Sequence, residues 1–97
     1  MTRVEFHPEA GRDLAGAQAW YRERSEVAAQ AFALEINNAL ATIQDAPERW
    51  PLTTRGARRF LLSEFPYSNL YYVRRTDVYV TAVAHQRRRP GYWQKRA

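Results

Sequence analysis

Two kinds of apolar pattern divide the chain, with helical spacing in the first half and strand-like runs in the second. Residues 2–6 alternate polar and apolar side chains, which predicts a short first strand. A helix is predicted from about Pro8 to Arg24, because proline suits the first turn of a helix. One face of this helix carries the apolar residues Ala10, Leu14, Ala17 and Tyr21.

A second helix is predicted directly after the first. Ser25 is of the residue type that caps helix N-termini, and the helical spacing ends near Asp45, before Pro47. Because almost no loop separates the two helices, they are expected to form an antiparallel hairpin. The apolar stripe of the second helix consists of Phe32, Ile36, Ala39, Leu40 and Ile43.

Strands are predicted in the second half, after a polar connection over residues 47–56 that contains two prolines and a glycine. The last two strand-forming runs are separated by a short turn at residues 75–77. Beyond the strands, residues 85–97 form a tail with one expected helical turn after Pro90. The three runs rich in strand-forming residues are 58–63, 69–74 and 78–84.

These elements predict an α+β fold with the order β-α-α-β-β-β. The helical hairpin is expected to pack on one face of a small, twisted, mostly antiparallel sheet, with the first strand at an edge of the sheet or within it. A length of 97 residues fits a single domain spanning residues 1–97, with a modest core.

Composition excludes several classes of site. Cysteine is absent, which excludes disulfides, thiolate metal sites and cysteine nucleophiles. The only histidines, His7 and His85, lack metal-binding spacing, so neither a metal nor another cofactor is expected. The chain begins without the apolar run of a signal peptide, and its uncharged stretches are too short for a membrane helix. A cytoplasmic protein is therefore expected.

Charge is distributed unevenly along the chain, which has a formal net charge of +5. Residues 1–48 hold four arginines against eight acidic residues, whereas residues 49–97 hold eleven cations against two acidic residues. Only Lys95 is a lysine. Because arginine offers a planar fork for phosphate or carboxylate, this asymmetry favours an acidic or polyanionic partner.

The strongest chemical feature is the segment His85–Trp93, which combines one histidine, three arginines and two aromatic residues. Such a segment is typical of a surface that binds phosphate and stacks on bases, or of a clamp for an acidic peptide. The simpler interpretation is a solvated tail whose Trp93 packs back onto the sheet. The candidate residues for binding a target or an anion are Arg58, Arg59, Arg87, Arg88, Arg89, Tyr92 and Trp93.

The pair Arg58 and Arg59 opens a predicted strand, where side chains alternate between the two faces. Only one of the two can therefore share a face with the tail arginines. If it lies beside Arg87 and Arg89, the three would form one positive concavity. The alternative is ordinary edge-strand charge that prevents aggregation.

Ribonuclease chemistry requires a base and an acid in addition to a phosphate clamp. Arginine stays protonated, and the ordinary pKa of tyrosine is about 10. His85 is the only ready proton carrier in the basic half of the chain. If the protein were a ribonuclease, His85 and Arg87 would be its catalytic residues, but the composition favours a binding protein.

The order of motifs resembles the RelE/ParE superfamily, which comprises the toxins of bacterial type II toxin–antitoxin modules. The resemblance covers nearly the whole chain. Its residues are Pro8-Glu9-Ala10, Asp13-Leu14, Tyr21, Ala28-Ala29, Phe32, Pro47, Arg59-Phe60-Leu61-Leu62, Phe65-Pro66-Tyr67, Leu70-Tyr71-Tyr72, Ala84-His85, Arg87-Arg88 and Pro90.

This resemblance implies one of two activities. The branch that cuts mRNA on the ribosome carries basic residues on the strand that matches residues 59–62. It also carries an arginine where this chain has Asn69, a tail arginine that matches Arg87, and a functional tyrosine at the place of Tyr92 or Trp93. The ParE-like branch, known for poisoning DNA gyrase, resembles this chain better in its long helical hairpin.

The resemblance therefore implies a ParE-like toxin that stops growth by binding an essential target such as DNA gyrase. A cognate antitoxin with an acidic, partly disordered segment is expected to neutralise it in a hetero-oligomer. The first alternative is a ribosome-dependent mRNA endoribonuclease, and the second is a non-toxic basic module that binds RNA or protein.

Overall fold

The computed structural model of the protein describes residues 2–53 and 55–96. Met1, Thr54 of the predicted connection and Ala97 of the predicted tail lie outside these residues. The predicted order β-α-α-β-β-β is confirmed. The elements are β1 (Val4–Phe6), α1 (Pro8–Arg24), α2 (Glu26–Asp45), β2 (Arg58–Leu61), β3 (Tyr67–Arg74) and β4 (Asp77–His85).

The two helices form a hairpin because a single residue, Ser25, ends one and begins the other. The backbone of Ser25 is extended, and its N–H donates to the Tyr21 carbonyl at 2.7 Å. The Ser25 hydroxyl accepts from the Ala28 N–H at 3.1 Å, as an N-cap should. At the start of α1, His7 Nδ1 accepts from the Glu9 N–H at 3.0 Å. Both helix beginnings are therefore set by local side-chain caps.

Within the described residues, the sheet has four strands in the order β1-β4-β3-β2. Strand β1 lies at an edge and pairs in parallel with β4, while the other neighbours are antiparallel. Strand β2 ends at Leu61, two residues earlier than predicted. The N–H groups of Ser63 and Glu64 donate to the Glu35 carboxylate on α2, so they are diverted from the sheet.

The helical hairpin covers one face of the sheet, and the main core lies between them. Phe32 of α2 is fully buried and its ring packs against those of Tyr21, Phe65 and Tyr67. Burial of these rings joins both helices to the β2–β3 connection. The fully or nearly fully buried residues of this core are Ala10, Ala17, Phe32, Ile36, Ala39, Ile43, Leu62, Tyr71, Val78, Val80 and Val83.

The other face of the sheet is covered by the end of the chain. Trp93 packs there with Leu70 and three alanines in a second core, and its ring meets that of Tyr72 edge-to-face. The predicted helical turn after Pro90 is a series of tighter turns, in which the Gln94 and Arg96 N–H groups bond carbonyls three residues earlier. Gly91 has φ +79°, which a right-handed helix does not allow.

In residues 2–53 and 55–96, neither helix is long and apolar enough to cross a membrane.

Phe32→Ala should lower the free energy of unfolding by about 3–5 kcal/mol, because it leaves a cavity among the packed rings. The same type of change at Val27, whose side chain is 77% exposed, should cost less than about 0.5 kcal/mol. Urea unfolding followed by circular dichroism measures both. Equal losses in the two variants would contradict this account of the core.

Candidate functional site

One residue after the end of β4 come three consecutive exposed arginines, Arg87–Arg89, which we call the basic turn. The turn is held where it leaves the strand. His85 Nδ1 accepts from the Arg87 N–H at 3.0 Å, and the His85 carbonyl accepts from the Arg88 N–H at 3.0 Å. The three guanidinium groups therefore project from a backbone that is ordered at its beginning.

Tyr92 holds the Arg88 side chain of the basic turn by stacking. The guanidinium carbon of Arg88 lies 3.8 Å from the centre of the Tyr92 ring, and that of Arg96 lies 5.0 Å from it. The Tyr92 hydroxyl donates to Asp13 Oδ2 at 3.3 Å. Burial raises the pKa of Tyr92, and the charge of Asp13 raises it further. The ring is therefore neutral at pH 7 and serves as a stacking surface for two cations.

A cleft of about 150 Å³ separates the basic turn from the outer face of the sheet. Arg59 of β2 lines it together with Arg88 and Arg89, whereas Arg87 is not in its lining. Apolar side chains, among them Leu61 and Leu70, form part of its wall. The cleft thus combines three cations with an apolar wall, a combination that suits an acidic side chain flanked by apolar groups.

Arg58 points away from this cleft and has a structural role. Its Nη1 donates to the carbonyl oxygens of Glu48 and Trp50 at 3.0 and 2.7 Å. These bonds fasten the connection that precedes β2 to the strand. Of the two strand arginines considered as candidates, only Arg59 therefore lies with the tail arginines.

A wider hollow of about 590 Å³ opens on the other side of the basic turn. Arg88 and Arg89 line this hollow as well as the cleft, and Lys95 adds a third cation. Among the described residues, no Asp or Glu lines either depression. Because positive charges in a concave surface reinforce each other, Arg88 and Arg89 lie where an anion would be attracted.

Two other candidates, Trp93 and His85, also line the cleft, and both pack against the protein. Trp93 is only 3% exposed and packs on the sheet, so its indole contributes to the second core. The His85 ring is half-buried, and it contacts the Tyr67 ring edge-on at 5.1 Å between ring centres. In the part of the chain that the structure describes, no group of three His, Asp or Glu side chains could hold a metal ion.

Two residues that shape the site, Asp13 and Arg96, were not candidates from the sequence. They form an ion pair at 2.7 Å although 83 positions separate them in the chain. Spacing rules reveal partners on one helix or on adjacent strands, so no sequence signal connects these two residues.

Residues 4–90 match the family described as "ParE toxin of type II toxin-antitoxin system, parDE". The chain belongs to the ParE toxin family. The matched region includes both helices, all four strands and the basic turn, and it ends before Tyr92 and Arg96.

A solved structure shows the same fold at low sequence identity. A chain of the "Chromosomal ParDE TA system from P. aeruginosa" superposes with a TM-score of 0.76 and is 17% identical. The superposition covers 88% of this chain and 96% of the other. No curated protein matched the sequence.

Gly91→Ala should destabilise the C-terminal turns by about 1 kcal/mol or more, because alanine tolerates a positive φ poorly. An added Cβ would also meet the side chain of Arg55, which crosses the turn here. Gly16→Ala in α1 is the matched control. Its Cβ would meet nothing within 4 Å, so it should stabilise by about 0.5–1 kcal/mol.

Urea midpoints of the two glycine variants provide the measurement. A Gly91→Ala protein that is as stable as the Gly16→Ala protein would contradict the described conformation of the turn.

Proposed function

We propose that this ParE-family toxin arrests growth by binding an essential bacterial target such as DNA gyrase, with Arg59, Arg88 and Arg89 as its central contacts. The observation that supports this proposal is the position of Arg88 and Arg89 between two concave surfaces with no acidic residue in their described lining. A target of this kind implies action in the cytoplasm.

The chemistry of the basic turn suits recognition of carboxylates or phosphates. A guanidinium can donate two parallel hydrogen bonds to one such group, which a lysine ammonium cannot do with the same geometry. Arg88 loses little freedom on binding because its guanidinium is already stacked on Tyr92. Arg87 is exposed at the start of the turn and adds long-range attraction.

Three placements favour binding over RNA cleavage. Asn69, at the position where the mRNA-cutting branch carries a strand arginine, is completely buried. Trp93, one of the two residues at the place of a functional tyrosine, is buried in the sheet. One imidazole nitrogen of His85 is occupied by a backbone N–H. These positions supply one proton-transfer group at most, His85, whereas the ribonuclease alternative needs an acid and a base.

A cognate antitoxin is the second proposed partner, as in the ParDE system whose toxin-like chain shares this fold. We expect an acidic, partly disordered segment that neutralises the basic turn by charge. The same segment can gain apolar contacts from Trp20 and Leu34, whose side chains are at least half exposed on the hairpin. The result would be a toxin–antitoxin hetero-oligomer.

Expression of the toxin without its antitoxin should stop growth, and the double variant Arg88→Ala/Arg89→Ala should permit growth at the same protein level. Loss of two guanidinium contacts in a desolvated interface typically lowers affinity by about tenfold or more for each contact. The measurement is colony formation at graded inducer, with protein quantified by immunoblot.

The control removes two cations elsewhere. Arg12 and Arg22 form exposed ion pairs within the hairpin, and Arg12→Ala/Arg22→Ala should remain toxic. If both double variants lose toxicity, net charge rather than the basic turn is responsible, and the proposed contact residues are wrong.

Cellular responses separate the proposed target from the alternatives. A DNA damage response with intact mRNA supports a gyrase-type target, whereas codon-linked cleavage in primer extension would establish the ribonuclease. Normal growth with folded wild-type protein would leave the non-toxic binding module as the function.

A further inference from the structure

Strand β4 has an open edge beyond the end of β1. The parallel pairing ends where Phe6 faces Val80, and the His7 N–H donates to the Val80 carbonyl at 2.8 Å. One residue further along, β4 contains a bulge. Leu70 of β3 faces Ala82 and Tyr71 faces Val80, so Thr81 is an extra residue in the ladder.

At this edge, the backbone groups of β4 form hydrogen bonds with side chains rather than with a neighbouring strand. Arg96 Nη1 donates to the Thr81 carbonyl at 2.9 Å, and the Val83 N–H donates to Asp13 Oδ2 at 3.1 Å. Unpaired N–H and C=O groups at a half-buried edge are costly, so these two bonds protect the edge.

Asp13 and Arg96 also bond each other in a two-pronged contact. Arg96 Nη1 lies 2.7 Å from Asp13 Oδ2, and Nη2 lies 3.2 Å from Oδ1. Each side chain is only 14% exposed, whereas the ion pairs Arg12–Glu9 and Arg22–Glu26 lie at the surface. Salt screens the attraction only weakly in an ion pair that is largely removed from water. Loss of one partner would leave the charge of the other uncompensated.

Contacts from this ion pair continue to the basic turn. The Tyr92 hydroxyl donates to the same Oδ2 atom of Asp13, and the guanidinium groups of Arg88 and Arg96 both stack on the Tyr92 ring. The orientation of Arg88 thus depends on Tyr92, and Tyr92 is held by Asp13 and Arg96.

We propose that Asp13 is a positioning residue for the basic turn, and that it holds Arg88 beside Arg89 through Arg96 and Tyr92. The role of the basic turn in toxicity rests on the proposed function above, but the effect of Asp13 on its geometry does not. Nothing in the sequence pattern assigns this role, since Asp13 lies on α1 and the basic turn follows β4.

The first test measures how strongly the C-terminal turns are held in place, by amide hydrogen exchange. In Asp13→Asn, which keeps the side-chain shape but loses the charge, the amides of Gln94 and Arg96 should exchange with solvent about tenfold faster or more. The Val78 amide, which donates to the Arg3 carbonyl within the sheet, should keep its rate. Glu26→Gln, which breaks an exposed ion pair on the hairpin, should leave all three amides unchanged.

The second test measures the geometry of the basic turn with immobilised heparin as a polyanion. Asp13→Asn and Glu26→Gln raise the net charge equally. Glu26→Gln should elute at higher salt than the wild type, because only its charge has changed. Asp13→Asn also frees the charge of Arg96. It should nevertheless elute at lower salt than Glu26→Gln, because the loss of two arginines held side by side outweighs one freed charge.

A third variant covers the case in which Asp13→Asn does not fold. Arg96→Lys keeps the net charge but cannot make the two-pronged contact, so it should elute from heparin at lower salt than the wild type. Unchanged exchange of the Gln94 and Arg96 amides in folded Asp13→Asn would overturn the proposal. Coelution of Asp13→Asn with Glu26→Gln, or of folded Arg96→Lys with the wild type, would overturn it as well.

Growth arrest provides the functional measurement. Asp13→Asn should need a higher inducer level to stop growth than Glu26→Gln does, with equal amounts of folded protein. If the wild type does not arrest growth, the proposed function fails, while amide exchange and heparin elution still decide the role of Asp13.

Discussion

The side chains of strand β4 are buried on both faces of the sheet, and the placement of the other elements depends on this constraint. From Val78 onward, most of its side chains are inaccessible to water, so both faces of the sheet must be covered. A chain of 97 residues has little material for this purpose. The helical hairpin covers one face, and a segment of a few residues at the end of the chain covers the other.

This arrangement gives the C-terminal residues two structural roles, in packing and in ordering the basic turn. Trp93 fills the second core, while the neighbouring Tyr92 presents its ring to two arginines. The segment that completes the fold therefore also orders the basic turn. Arginine suits this combination better than lysine, because a planar guanidinium can stack on an aromatic ring and still bind an anion with its N–H groups.

The electrostatics follow from the same geometry. Asp13 is one of the eight acidic residues in the first half of the chain. Its carboxylate accepts hydrogen bonds from Arg96 and from the Val83 N–H at the edge of β4. It therefore compensates one cation of the basic half without lining the cleft or the hollow beside Arg88.

Local chemistry in the sequence determined the elements and their order. The cap at Ser25, the proline at the start of α1 and the helical spacing of Phe32 and Ile36 act within a few residues, so the helix bounds could be read directly. The concentration of arginines after β4 likewise marked the candidate surface.

Only the tertiary structure decided which arginine of β2 joins that surface, because the choice depends on where Arg58 finds carbonyl partners. The burial of Trp93 and the pairing of Asp13 with Arg96 were decided in the same way. These features depend on contacts between separate segments of the chain, which no periodicity in a single sequence encodes.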